Sequence, residues 1–291
     1  MRVTQSMLAQ NSLRQISRSY ERLGKYQDQL ATGKKITRPS DDPVVAMKGM
    51  HYRTNVTEIE QYKRNISEIY QWIENSESAI EHTNSALQRV HELLLQAANG
   101  TNSEDERGAI AAEIKQIKSD IVSVANTQVA GRYIFNGTDT DQPPVAEGDP
   151  PVVTMNTDAF LVEVSKNVKL KANINPENVF GQDLFDTLQN IQNDLEANDT
   201  SNINDLLSDL DKYIDIMNAE WSELGARYNR VEFVEQRIQN QEVVAKRIMS
   251  NNEDADMEKV IIDLKAQESI HRAALAAGSR IIQPTLVDFL R

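Results

Sequence analysis

The chain has 291 residues, 5% aromatics, no cysteine and a net charge of −13. Few aromatics, eleven glycines and eight prolines argue against a β-sandwich or barrel, and the missing cysteines exclude disulfides, thiolate metal sites and cysteine nucleophiles. No run of about 18 apolar residues occurs, so no membrane-spanning helix is expected, and Met-Arg-Val-Thr-Gln-Ser-Met-Leu lacks the apolar run of a cleavable signal.

The charge is unevenly spread. Residues 1–40 carry eight Lys or Arg against Glu21 and Asp28, a net +6, which leaves −19 for the other 251. A basic arm on an acidic body can bind nucleic acid. With no second basic cluster and no aromatic stacking platform, no nucleic-acid partner is expected. Such an arm can also pair with the acidic flank of a neighbouring copy.

In chain order, a stripe of Ala9, Leu13, Ile16, Tyr20, Leu23, Gln27 and Leu30 alternates spacings of 4 and 3. It predicts a helix that stops at Thr32-Gly33, where glycine supplies a left-handed cap. Arg38 precedes a proline and resists helix. Asp42 and Pro43 then restart one as N-cap and first residue, with Asp41 and Asp42 favouring the positive end of the helix dipole.

The next helix is expected to run to about Ala98 and end at Asn99-Gly100. Its stripe is Ile59, Tyr62, Ile66, Ile69, Ile73, Ser76, Ile80, Thr83, Leu87, Val90, Leu94 and Ala97. A second long stripe reads Ile203, Leu207, Leu210, Ile214, Met217, Trp221, Leu224, Tyr228, Val231, Glu235, Ile238, Glu242, Ala245 and Met249. A 3.5-residue spacing marks helices that supercoil and bury a seam. The two segments imply rods of roughly 60 and 70 Å. Trp221 and Tyr228 read as core; Glu235 and Glu242 either fix register or pair with a neighbouring helix, or, as the favoured reading, mark points where the helix emerges from the bundle.

Between these rods, Ser103 and Glu106 form a capping box. The helix after it carries Ile110, Ile114, Ile117, Ile121 and Val124 and should fold back antiparallel on its predecessor. The period changes at Gly131. Tyr133-Ile134-Phe135 before Asn136-Gly137 predicts a hairpin turning at Asn136-Gly137, and Val152 to Met155 and Phe160 to Val164 extend a small β-rich excursion to about Gly181. A helix with Leu184, Phe185, Leu188, Ile191 and Leu195 follows. The chain closes with a helix over about Ala255–Ile282, marked by Met257, Ile261, Leu264 and Leu275, and an apolar tail after Pro284.

The expected fold is mainly α: a long antiparallel helical bundle or coiled coil, with paired N- and C-terminal helices and a small β-rich insert. The expected domains are 1–42 with 257–291, 43–130 with 183–256, and the insert 131–182. The terminal stripes are narrow, and isolated helices of this kind are marginal in water. The first domain is therefore expected to be disordered in the monomer and to order on assembly. Its candidate interface is Leu13, Ile16, Tyr20, Leu23 and Leu30 near the start, and Leu264, Leu275, Ile282, Leu286 and Phe289 near the end.

No catalytic, metal or cofactor site is expected. His51, His82, His91 and His271 include no zinc-protease pattern, and His91 reads as a solvated flank. Asn136 to Asp141 resembles a calcium loop, but Pro144 and Pro150 stand where that loop needs Gly and Glu. Turn chemistry explains those residues better.

Four stretches carry a family resemblance: Leu23 to Pro43 with Gln29-Leu30-Ala31-Thr32-Gly33-Lys34-Lys35-Ile36 and Ser40-Asp41-Asp42-Pro43, Gly131-Arg132-Tyr133-Ile134-Phe135-Asn136-Gly137-Thr138, Gly225 to Glu232, and Asp256 to Arg291. On these residues the chain resembles the flagellin superfamily. The opening Met-Arg-Val-Thr-Gln-Ser-Met, Arg38-Pro39-Ser40 and the tyrosine hairpin are similar to the hook–filament junction family rather than to flagellins. The resemblance implies a structural adaptor of the bacterial flagellum, without enzymatic activity or cofactor, that joins the hook-associated region to the filament. Paired termini would form an inner tubular layer, the long helices a middle layer, and the insert would project outward. The implied partners are the first hook-associated protein, flagellin, further copies in a ring, and an export chaperone at the C-terminal helix. Passage would be through the flagellar type III apparatus, unfolded and without a cleaved signal, to an extracellular location. A flagellin filament subunit and an intracellular coiled-coil scaffold are the alternatives.

Overall fold

The computed structural model describes residues 5–98, 103–146 and 148–282. The chain divides into two compact units, residues 59–240 and residues 1–58 with 241–291. Helices α2 (Pro43–Ala98) and α6 (Ile203–Glu253) contribute to both.

In the unit 59–240, α2 buries a double row. Ile66, Ile73, Ile80, Leu87 and Leu94 recur every seven residues, and Ile69, Val90 and Ala97 lie on the second row with Ser76 and Thr83. Buried Thr83 satisfies its hydroxyl by donating to the Ala79 carbonyl at 2.7 Å, one turn back. On α6 one row is complete: Ile203, Leu210, Met217, Leu224, Val231, Ile238 and Ala245 are all buried. A strict seven-residue period keeps one face inward along a long helix only if the helix supercoils slightly.

The other α6 row departs from the sequence expectation. Tyr228 is 37% exposed rather than core, and its ring meets Tyr70 edge-on at 5.3 Å. Trp221 is half-buried, with its indole N–H donating to Glu77 at 3.3 Å. Glu235 does not mark the helix leaving the bundle, because it accepts the Tyr70 hydroxyl at 2.9 Å. Polar tips at the seam edge let these large side chains cover the core while staying hydrated. Half-buried His91 faces Asp211 on α6 at 3.3 Å, so it is not simply a solvated flank.

Helix α3 (Glu104–Ala125) begins with the expected capping box. The Ser103 backbone N–H donates to Glu106 at 2.7 Å, and the Glu106 N–H to the Ser103 hydroxyl at 3.4 Å. Arg89 of α2 reaches Glu113 of α3 at 2.9 Å. Ile117 and Val124 are only half-buried, and α3 also buries Lys118 against α5 (Gln182–Glu196). The Lys118 ammonium has all three donors used, by Asp149 at 2.8 Å, Gln192 at 3.0 Å and Gln189.

The β segments are three separate antiparallel pairs: β1 (Gln128–Val129) with β2 (Arg132–Tyr133), β3 (Val145–Ala146) with β4 (Val152–Val153), and β5 (Leu161–Ser165) with β6 (Val168–Lys171). The first hairpin turns at Ala130-Gly131, both with positive φ, and not at Asn136-Gly137 as the sequence suggests. Asn136 is buried instead, and its amide bridges two loops: it donates to the Gln142 carbonyl at 3.0 Å and accepts the Asn156 N–H at 2.7 Å. Gly137, at φ +54°, lets the Asn156 carbonyl approach closely. Phe135 is buried against Phe180 of α4 (Pro176–Phe180), ring centres 4.9 Å apart.

Candidate assembly surface

The unit 1–58 with 241–291 pairs helix α1 (Gln5–Thr32) with α7 (Met257–Ile282). From the expected α1 stripe only Ala9, Ile16 and Leu23 are drawn in, each half-buried. Beside them sit Ser12, Ser19 and Tyr26, also at seven-residue spacing. Ser19 is only 2% exposed. Its hydroxyl accepts the Gln267 amide at 2.8 Å and lies 3.3 Å from the ring nitrogen of His271. One turn earlier on α1, the Ile16 side chain sits so close to Gly278 that a Cβ there would stand 3.1 Å from it. The seam therefore interleaves half-buried Ile16 and Leu23 with small and polar groups, which allow close helix approach but bury little apolar area.

Several large apolar residues consequently point outward. Leu13 is 57% exposed, Tyr20 68%, and Leu30 and Leu275 are exposed as well. Ile262 and Ile270 extend the exposed set on α7. Ile16, Leu23 and Leu264 are half-buried. Ile282 closes the α7 backbone, and Leu286 and Phe289 lie outside the described residues.

The two linkers at the base of this pair are cross-tied. Gly33 takes the predicted left-handed C-cap, with φ +68° and its N–H on the Gln29 carbonyl at 2.9 Å. Lys35 N–H donates to the Glu253 carbonyl at 2.7 Å, and Ala255 N–H to the Gly33 carbonyl at 2.8 Å. The Lys34 ammonium meets Asp254 at 2.6 Å and Glu253 at 3.5 Å. Its hydrogen bond, followed by that of Ser250, holds the Asp254 carboxyl below the usual range, and Asp254 in turn raises Lys34. Asp42 caps α2 through the Val44 and Val45 amides, at 3.0 and 3.1 Å. Asp41 instead accepts the Arg38 and Thr37 amides, at 3.0 and 3.3 Å, and they lower its pKa.

Sequence reasoning missed Ser19, Gln267, His271, Glu253 and Asp254. The seven-residue recurrence of Ser12, Ser19 and Tyr26 beside the apolar stripe was the available signal for the first of these. Glu253 and Asp254 carried none, because their partners lie about 200 residues away.

Among the described residues no group of three His, Asp or Glu could hold a metal ion, and no helix is long and apolar enough to cross a membrane. What the geometry defines is a helical-bundle unit and a second unit in which α1 and α7 pair and carry outward apolar and charged faces.

Residues 3–140 match the family model for the bacterial flagellin N-terminal helical region. Flagellar hook-associated protein 3 of Escherichia coli is 32% identical over 148 residues, 50% of this chain and 47% of that protein. The match thus spans about half the length of that relative. A flagellin of Halalkalibacterium halodurans is 23% identical over 95% of this chain and 94% of its own. Among solved structures, FlgL of Bacillus cereus aligns with a TM-score of 0.60 at 24% identity, over 69% of this chain and 99% of that one. It supports the mainly α fold with a small β insert. Over its N-terminal half the chain is similar to the flagellin superfamily.

Proposed function

We propose that this chain is a structural adaptor of the bacterial flagellum, joining the hook-associated region to the flagellin filament. The observation that carries it is the α1–α7 seam. It spends small and polar residues on the internal contact and leaves Leu13, Tyr20, Ile270 and Leu275 outward. Exposed apolar residues on both helices of one pair suit burial against further subunits. The similarity to hook-associated protein 3 supports a position in a ring between the first hook-associated protein and flagellin, and we infer type III export with a chaperone on the C-terminal helix.

The test is complementation of a strain lacking its junction protein. The full chain restores filament attachment, and removal of residues 1–30 or 260–291 abolishes it. A truncated chain that still supports filament growth overturns the reading. The end-to-end similarity to a flagellin favours a second reading, a filament subunit. Antibody against the chain separates the two: a single point of label at the hook–filament boundary supports the adaptor, and label along the whole filament supports the subunit.

A further inference from the structure

Two surfaces of opposite charge stand out, one in each unit. The first is an open groove of about 580 Å³ between α1, α7 and the linker, lined by Arg22, Lys25, Tyr26, Lys35, Asp256, Lys259 and Asp263 among others. Four cations face two carboxylates there. Asp256 is engaged in accepting the Lys259 backbone N–H at 3.2 Å. Arg22 uses its Nε on the Arg18 carbonyl. Among the described residues neither Arg22, Lys25 nor Lys259 is in an ion pair with a carboxylate.

The second surface is the α5–α6 segment. Between residues 183 and 215 the chain has nine Asp or Glu and a single cation, Lys212. Asp209 pairs with Lys212 and Asp211 faces His91. Asp183, Asp186, Glu196, Asp199, Asp205 and Asp215 are exposed, and none is in an ion pair among the described residues. These like-charged groups without cations repel one another, and so do the cations of the groove. Each surface therefore gains by being brought against the other.

We infer that the basic groove between α1 and α7 of one copy receives the acidic α5–α6 segment of a second copy. The contact joins two different patches, so it is head-to-tail and propagates from subunit to subunit, as a ring or stack requires. Half-buried Tyr26 also lines the groove. Because the charges are solvent-exposed, the contact is salt-sensitive: screening beyond about 10 Å sets in near 0.1 M salt. The proposal deepens the adaptor reading by naming a self-contact, and it rests on that reading only for its biological setting.

The experiment is sedimentation velocity of the full chain at several salt concentrations. The wild type associates at low ionic strength and dissociates as salt is added. R22E/K25E and E196K/D205K each weaken association alone by about tenfold or more. A one-to-one mixture of the two recovers a heterodimer, because one retains the acidic segment and the other the groove. A wild type that stays monomeric at every salt concentration overturns the proposal. So does association indifferent to either double change, or a mixture that fails to recover although both proteins keep wild-type helix content by circular dichroism. Should a reversal unfold the chain, the neutral pairs R22Q/K25Q and E196Q/D205N take its place with the same outcomes. Loss of filament attachment with this association intact would count against the adaptor reading alone.

Discussion

Glu253 is 5% exposed and accepts two parallel hydrogen bonds from the Arg53 guanidinium, at 2.7 and 2.8 Å, across 200 residues of sequence. Gly49 leaves the room for it, since a Cβ there would stand 2.9 Å from the same carboxylate. Fork-to-fork pairing of this kind fixes geometry as well as charge. Arg53 is largely exposed, which screens the pair. Arg53→Ala is expected to destabilise the 1–58 with 241–291 unit by about 1–2 kcal/mol, chiefly by leaving a buried carboxylate with Lys34 alone. Arg53→Lys keeps the charge but loses the fork and recovers only part. Urea unfolding followed by exchange within this unit measures both.

Asp254 gives the same unit a dependence on acid. Lys34 and Ser250 lower its folded pKa below the ordinary value. A depressed carboxyl contributes stability that is present above the unfolded pKa, near 4, and is lost as pH falls through the folded value. The unit is therefore expected to loosen below about pH 4. Asp254→Asn lowers stability at neutral pH and flattens that acid limb. A midpoint-against-pH curve unchanged by the substitution would rule this contribution out.

How much of this was legible in the sequence differs from one element to the next. The α2 and α6 rods, the Gly33 and Asp42 caps and the Ser103 capping box were readable because each depends on spacings of seven residues or fewer. Tyr228 was misplaced because the stripe rule assigns both seam rows to the core, whereas on α6 only the row from Ile203 to Ala245 is fully buried, and Glu235 because its partner Tyr70 lies 165 residues away. The hairpin turn was set at Asn136-Gly137 because that dipeptide is the stronger local signal. Tertiary hydrogen bonds to Gln142 and Asn156 claim it for another purpose. In the candidate surface, the outward residues could be read as apolar. Their orientation depends on Gln267, His271 and Gly278, which no local pattern points to.

Ala130 and Gly137 predict opposite responses to substitution. Ala130 occupies positive φ (+51°) ahead of Gly131 in a two-residue turn, a position that favours Asn or Gly. Ala130→Asn is expected to raise stability by about 0.5–1 kcal/mol. Gly137→Ala combines positive φ with a Cβ only 2.5 Å from the Asn156 backbone oxygen, and backbone cannot retreat as a flexible side chain can. It should cost about 2–3 kcal/mol and loosen the Asn136–Asn156 bracket. Thermal melts of the two variants check the pair, and equal shifts of the same sign would contradict the conformational argument.

The α1–α7 pair should exchange its amide hydrogens faster than the α2 and α6 rods in the isolated monomer. Between α1 and α7 the only fully buried apolar side chain is Val260, among the described residues. Across the rods, by contrast, rows of Ile and Leu are buried turn after turn. Apolar burial contributes about 25 cal/mol per Å², so the pair's free energy of opening is correspondingly small. Ser19→Ala tests what remains. It strips the Gln267 amide of its shorter acceptor and leaves only the Ser19 carbonyl at 3.3 Å. The expected loss is about 1 kcal/mol, seen as roughly fivefold faster exchange across both helices and no change in the rods. Protection in residues 5–32 and 257–279 equal to that of the α2 heptads would show that the seam is self-sufficient. It would also remove the reason to regard these helices as waiting for neighbouring subunits.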